Sequence, residues 1–248
     1  MNSGQRVLVF GASSAICSEL LKLLASSEGY FYLVARDSFK LAVQVADLEV
    51  RGGTIAGHES YDFNQWELHE AVVGRAVESL GQIDIVIIAH GSLPDQSDCE
   101  SSPAAMRACI EDNFTSAAMI IQCCAGALAV QGSGTLLALS SVAGDRGRKS
   151  NYAYGSAKSG IDALMQGLRA RFTGSSVEIV NIKPGMIETP MTAHMPSGAL
   201  WSTPEAIAPQ LLRAIEKGGG VYYVPGYWRF IMLIIRSLPN AIMARLPI

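Results

Sequence analysis

The sequence predicts a single α/β domain built on a doubly wound parallel sheet. Three observations carry this. The runs "VLVF", "IDIVIIA" and "TLLALS" are continuously apolar, as strands buried on both faces of a parallel sheet are. Longer segments of helical period alternate with them, which implies right-handed crossovers and helices on both faces. The first apolar run stops at Gly11, and a helical pattern opens after a few small residues. That is the outline of a strand-turn-helix unit able to take a phosphate group.

The elements follow in order. "VLVF" belongs to a strand over Arg6–Phe10, and the helical pattern after the glycine covers Ala15–Ser26. A second strand at Tyr30–Ala35 leads to a helix at Phe39–Arg51, and a third at Thr54–Ser60 to a helix at Gln65–Leu80. "IDIVIIA" gives a strand at Ile83–Ala89, followed by helices at Pro103–Ala108 and Glu111–Gln131. "TLLALS" lies in a strand at Gly134–Ser140, and a helix follows at Ala153–Phe172. A strand at Val177–Lys183, a helix at Pro204–Lys217 and a strand at Val221–Val224 complete about seven strands. No linker or repeat divides residues 1–226, and residues 227–248 form an apolar, basic helical tail.

Composition narrows the function classes. With 248 residues, 49% of them apolar and 17% charged, the chain can bury a large core and is not expected to be disordered. A net charge of −3 gives no basis for nucleic-acid binding. Cys17, Cys99, Cys109, Cys123 and Cys124 form no C-x-x-C pair and no zinc-ligand spacing, so reduced thiols and no metal are expected. The N-terminus runs straight into a strand, without the pattern of a signal peptide. No segment is expected to reach the roughly 20 apolar residues of a bilayer span, which points to the cytoplasm.

The chemistry is carried by few residues. Gly11 sits where the chain must bend and let phosphate oxygens approach the backbone, and Ser13, Ser14, Ala15 and Ile16 would present amides at a helix N-terminus. Tyr154 and Lys158 stand at i and i+4, on one helical face, where an ammonium beside a phenol is expected to lower the tyrosine pKa. Ser141 lies thirteen positions before Tyr154, just after a buried strand. Ligands sit at strand C-termini in open α/β sheets.

In these motifs the chain resembles the short-chain dehydrogenases/reductases from about Val7 to Val224. "GASSAIC" is similar to the family's glycine-rich turn, although Ala15 and Cys17 stand where two further glycines are usual. "IAHG" (Ile88–Gly91) resembles the segment after the fourth strand, "DNF" supplies Asn113, and "SSVAG" supplies Ser141. "YGSAK" matches Tyr-x-x-x-Lys, and "KPGMIETPM" matches the segment covering the nicotinamide. The resemblance implies a Rossmann-type oxidoreductase. In it Tyr154 exchanges a proton with the substrate oxygen, Ser141 holds that oxygen, Lys158 binds ribose hydroxyls, and Asn113 anchors a water linking Lys158 to solvent. It places Gly11, Ser13, Ser14, Ile16, Asp62, Phe63, Ala89, His90, Gly91, Pro184, Gly185, Ile187 and Thr189 around the cofactor, with Asp62 facing the adenine. A homodimer or homotetramer is implied as well.

Ala35 stands where NAD-preferring sites carry an acid, and Arg36 follows. A guanidinium suits a 2′-phosphate, so NADP(H) is favoured over NAD(H), with Asp37 as the counter-indication. Between Ser141 and Tyr154 the loop "GDRGRKSN" offers Arg146, Arg148 and Lys149 either to solvent or to an anionic substrate. Residues 186–203 are expected to form an apolar substrate lid. In the tail, Trp228, Ile231, Met232 and Ile235 recur at helical spacing beside Arg229 and Arg236, which suits a membrane interface or packing on the body. Loop, tail and turn together resemble the decaprenylphosphoryl-2-keto-pentose reductases, which would make the substrate a lipid-linked carbonyl or alcohol. The alternative is a non-catalytic dinucleotide sensor or scaffold on the same fold.

Overall fold

The computed structural model describes residues 4–246. All seven expected strands form one parallel sheet. In chain order the elements are β1 (Arg6–Phe10), α1 (Ala15–Ala25), β2 (Tyr30–Ala35), α2 (Ser38–Val50), β3 (Thr54–Ser60), α3 (His69–Leu80) and β4 (Ile85–Ile88). There follow α4 (Gln96–Ser101), α5 (Pro103–Ile110), a π-helical turn (Glu111–Thr115), α6 (Ser116–Gln131), β5 (Ser133–Leu139) and α7 (Tyr152–Arg171). The last are β6 (Ser176–Pro184), β7 (Met186–Ile187), β8 (Trp201–Ser202), α8 (Pro204–Lys217), β9 (Gly220–Val224), α9 (Trp228–Ser237) and α10 (Asn240–Met243).

The sheet order is β3-β2-β1-β4-β5-β6-β9, every pair parallel. Succession reverses between β1 and β4, which opens a crevice at their C-terminal ends. The central strands are buried on both faces, as their unbroken apolar runs require. One core lies between the sheet and α1, α2 and α8, with Val9, Leu21, Leu33 and Leu211. The other lies under α3, α6 and α7, with Phe10, Val73, Ile121 and Met165. The edge strand β3 has no fully buried residue, one of its sides having no neighbouring strand.

Two expectations change. Helix α4 is not apparent in the pattern, since Gln96–Ser101 is polar and buries only Cys99. More consequentially, α5, the π-helical turn and α6 run on as one helix, Pro103–Gln131, which by length and composition could cross a membrane, against the expectation that no segment could. Its inner face, with Ala117, Ile120, Ile121, Cys124 and Leu128, is instead buried in the core below α3 and α7. Small and sulfur-bearing residues pack well against a sheet and raise hydropathy at the same time. All five cysteines are free thiols.

The tail is attached along one side. Trp228 and Met232 are buried against Val142, while Phe230, Leu233 and Ile234 face outward. Arg146 fastens its end, donating to the carbonyls of Arg236 (3.2 Å) and Leu238 (3.1 Å) and to Asn240 Oδ1 (2.5 Å). These are the orphan carbonyls that any helix C-terminus leaves. Pro247 and Ile248, the end of the expected tail, lie outside the described residues.

Candidate active site

The crevice is built from backbone first. Gly11 adopts φ +87°, and a Cβ there would stand 2.5 Å from the His90 amide nitrogen and 2.8 Å from the Ala89 carbonyl carbon. Only glycine lets the turn after β1 meet the turn after β4. Ser14 caps α1 without using its side chain, and the first-turn amides of a helix have no intrahelical partner. Gly11, Ser13, Ser14 and Ile16 line this part of the crevice with Arg36, Phe63, Ala89, His90, Gly91 and Thr189. Cys17 points the other way, fully buried, and burial pushes its thiol up to about 12. Asp62 is not among the lining residues: it is exposed, and its carboxylate accepts from the Asn64 amide at 3.0 Å.

His90 stands at the centre. Its ring tilts on Phe63 with centroids 4.5 Å apart, and Nε2 lies 3.1 Å from Ser116 Oγ. Burial, then the cations Lys158 and Arg36, push its pKa down to about 3, so the imidazole is neutral. Arg36 Nη1 lies 3.6 Å from Asp112 and reaches the crevice beside Lys40. The carboxylate of Asp37 is committed as the cap of α2, accepting from the Lys40 amide at 3.0 Å.

Ser141, Tyr154 and Lys158 line a second cavity continuous with the first, sharing Ser14, Ile16, Ala89, His90, Gly91 and Thr189. Ser141 follows β5 in extended conformation and accepts from the Ala143 amide at 3.1 Å, opening a 3-10 turn over Val142–Asp145. Lys158 is buried, donates to the Leu139 carbonyl at 3.1 Å, and sits 5.7 Å from the Tyr154 ring centroid. Asn113 lies in the π-helical turn, a distortion frequent at functional sites. It accepts from the Ser92 amide at 2.9 Å and donates to the Cys109 carbonyl at 3.0 Å. It does not line the cavity, but Gly91 separates it from Lys158: a Cβ there would stand 2.7 Å from Asn113 Oδ1 and 3.5 Å from Lys158 Nζ.

Electrostatics differ from the expectation that the lysine lowers the tyrosine. Burial pushes Tyr154 up to about 12, with the Ser141 hydrogen bond working the other way. Burial also pushes Lys158 down to about 8. Desolvation is the largest influence on both groups. The phenol therefore holds its proton near neutral pH, the form that donates.

Pro184, Gly185, Ile187 and Thr189 line the far wall, with Met186, Met191 and Met195 contributed by the 186–203 segment. A Cβ on Gly185 would fall inside the indole of Trp228, so this segment and α9 fit only because the side chain is missing. Tyr227 in turn donates to the Leu200 carbonyl at 3.0 Å. Beneath the Val142–Asp145 turn, buried Lys183 pairs with Asp145 and, at 2.8 Å, with Asp162. Tyr223 donates to Asp145 at 2.7 Å, and Asn181 to Asp162 at 2.8 Å.

Sequence reasoning missed Trp228 against Gly185 and the ion network of Lys183, both contacts between distant segments. It also treated Arg146 and Arg148 alike. Arg146 closes the tail, whereas Arg148 and Asn151 line the second cavity. Asn151 could have been suspected from its place just before a helix.

The parallel sheet, the glycine turn and the serine, tyrosine and lysine gathered in one cavity define the class, an α/β oxidoreductase. The short-chain dehydrogenase family model matches residues 5–199, and the chain belongs to that family. An uncharacterised oxidoreductase of Mycobacterium tuberculosis is 32% identical over 241 residues, 97% of this chain and 96% of that protein. Among solved structures, an actinorhodin polyketide ketoreductase with NADPH superposes with a TM-score of 0.78 at 18% identity, covering 92% of this chain and 98% of its own. A short-chain dehydrogenase from Mycobacterium paratuberculosis bound to NAD gives 0.77 at 18%, covering 86% and 91%. At such identities the two structures speak for the fold.

Proposed function

We propose that the chain is an NADP(H)-preferring carbonyl reductase or alcohol dehydrogenase acting through Ser141, Tyr154 and Lys158, with Asn113 in support. The observation that carries this is the meeting of the three side chains in a cavity continuous with the glycine turn. The residues present fit a nicotinamide dinucleotide. The bare backbone at Gly11 and the first-turn amides of α1 suit a pyrophosphate. Lys158 suits ribose hydroxyls, and Pro184, Gly185, Ile187 and Thr189 suit the nicotinamide end. When bound, such a cofactor supplies the hydride. Tyr154, holding its proton, donates it to the carbonyl oxygen, and Ser141 hydrogen-bonds that oxygen as charge develops. Asn113 and the carbonyl of Leu139 hold the surroundings of Lys158.

Arg36 and Lys40 at the crevice, with Asp37 engaged as a helix cap, support a 2′-phosphate and hence NADP(H) over NAD(H). The substrate we propose is amphiphilic, a keto group on a lipid-linked sugar. In support, the 186–203 segment brings Met186, Met191 and Met195 to the cavity and is tied to the tail through Tyr227. The tail itself exposes Phe230, Leu233 and Ile234 beside Arg229 and Arg236 and carries no acid, which supports peripheral contact with an anionic membrane. Exposed Met119 and Val130 on α6 support pairing between subunits.

Tyr154→Phe tests the central reading. NADPH oxidation with a carbonyl substrate should fall by roughly 10²- to 10⁴-fold, the worth of a positioned acid, while NADPH binding stays nearly unchanged. Full activity in the variant would reject the mechanism. A wild-type chain that binds the cofactor and turns over no carbonyl or alcohol would favour the sensor.

A further inference from the structure

We propose that Arg148 and Asn151 form an oxyanion-recognition subsite in the substrate cavity, so that the substrate carries a carboxylate or phosphate as well as its carbonyl. This deepens the reductase reading and rests on it for the reaction, though not for the binding.

The observations are independent of the family's motifs. Arg148 lines the cavity with Ser141 and Tyr154 but not the crevice of the glycine turn, which places it at the substrate end. Its Nε is buried and has no hydrogen-bond partner, and no ion pair to it exists among the described residues. Asn151 is likewise unsatisfied at Oδ1. It occupies the N-cap of α7, where an asparagine normally accepts from a first-turn amide, yet its side chain makes no cap bond. The cavity wall contains no aspartate or glutamate, and its cations are Arg148 and Lys158. Much of the rest is apolar, including Leu93, Val142, Met186 and Met195.

The other charges of the loop are engaged elsewhere or face solvent. Asp145, the acid nearest in the loop, is held by Lys183 and Tyr223. Arg146 is fixed on the tail, and Lys149 is exposed. Burial pulls the guanidinium pKa below its usual value, and Arg148 stays a cation. A half-buried cation whose inner nitrogen has no partner is costly, and a planar guanidinium matches a two-oxygen anion in bidentate fashion. The amide of Asn151 supplies a neutral donor and acceptor beside it. A substrate oxyanion would satisfy what the protein leaves open.

The test uses benzoate and benzamide as non-reacting probes, titrated calorimetrically into the full chain with and without NADPH. Benzoate should bind tighter than benzamide by about 10- to 100-fold, the worth of charge-assisted hydrogen bonds. Arg148→Met should abolish the preference and Arg148→Lys retain part of it. Asn151→Asp should abolish it too by supplying an internal counter-charge, while folding at least as well, because aspartate is a favoured N-cap. Equal binding of the two probes, or a preference that survives both Arg148→Met and Asn151→Asp, would overturn the subsite. Turnover separates this from the reductase reading. NADPH-dependent reduction of benzaldehyde with no advantage for 4-carboxybenzaldehyde refutes the subsite and leaves the reductase. Arg148-dependent benzoate binding with neither aldehyde reduced supports the subsite and counts against the reductase.

Discussion

Replacing Lys183 by methionine should destabilise the protein without removing a residue of the cavity wall. Lys183 is buried, 7% exposed, and its ammonium faces two carboxylates. Removing one partner of a buried ion pair costs about 3–5 kcal/mol, because the remaining charge stays behind in a poor solvent. Here each carboxylate keeps one neutral donor, Tyr223 for Asp145 and Asn181 for Asp162, so the lower end, about 3 kcal/mol, applies. For a chain of this length that is roughly 6–12 °C in Tm. The pH dependence has a definite sign. Burial alone would lower the lysine, but Asp162 and Asp145 outweigh it and raise its pKa over that of an ordinary lysine. A raised base stabilises the fold fully below its unfolded pKa and loses that contribution as pH rises through the folded value. Wild type and variant should thus converge in alkali. Melting followed by circular dichroism at pH 7 and above pH 10.5 measures both. A variant melting within 2 °C or so of wild type at pH 7 would show that the network contributes nothing net.

Four shorter predictions follow. Gly185→Ala forces the methyl into Trp228 and should both shift the indole fluorescence and weaken cofactor binding; unchanged emission would contradict the packing. Arg36→Ala should raise the Kd of NADPH about tenfold while sparing NADH, and an equal effect on both would reject the 2′-phosphate reading. His90 is neutral when folded, down to about pH 3, whereas an unfolded histidine binds a proton near 6.5, so acid below that value draws the chain toward unfolding. Urea melts from pH 7 to 5 should lose less stability in His90→Ala than in wild type. Phe230→Glu with Leu233→Glu should abolish sedimentation with anionic vesicles without lowering Tm; sedimentation that persists would remove the tail from the membrane.

Legibility in the sequence follows the range of the interaction. Tyr154 and Lys158 are four apart on one helix, so spacing alone puts them on one face. Gly11 could be placed because a strand ends and a helix begins within a few positions. Burial reversed one inference from the same spacing: the lysine is adjacent, but desolvation dominates the phenol. Asp62, expected at the adenine, accepts from the backbone two residues on, as short acidic side chains do in turns. Arg146 and Arg148 lie in a loop, which has no period, and nothing local says that one grips the tail while the other lines the cavity. The Pro103–Gln131 helix looked interrupted because its π-helical turn shifts the apolar phase.

The fit of Trp228 over Gly185 has a practical side. One indole serves as both the foot of the tail and the backing of the wall beside Ile187 and Thr189. A shortened chain ending before residue 228 would therefore lose that backing and open a hydrophobic hollow behind the cavity. Chain added after Ile248 would leave it intact. Anyone trimming or tagging this protein is handling its candidate site from behind.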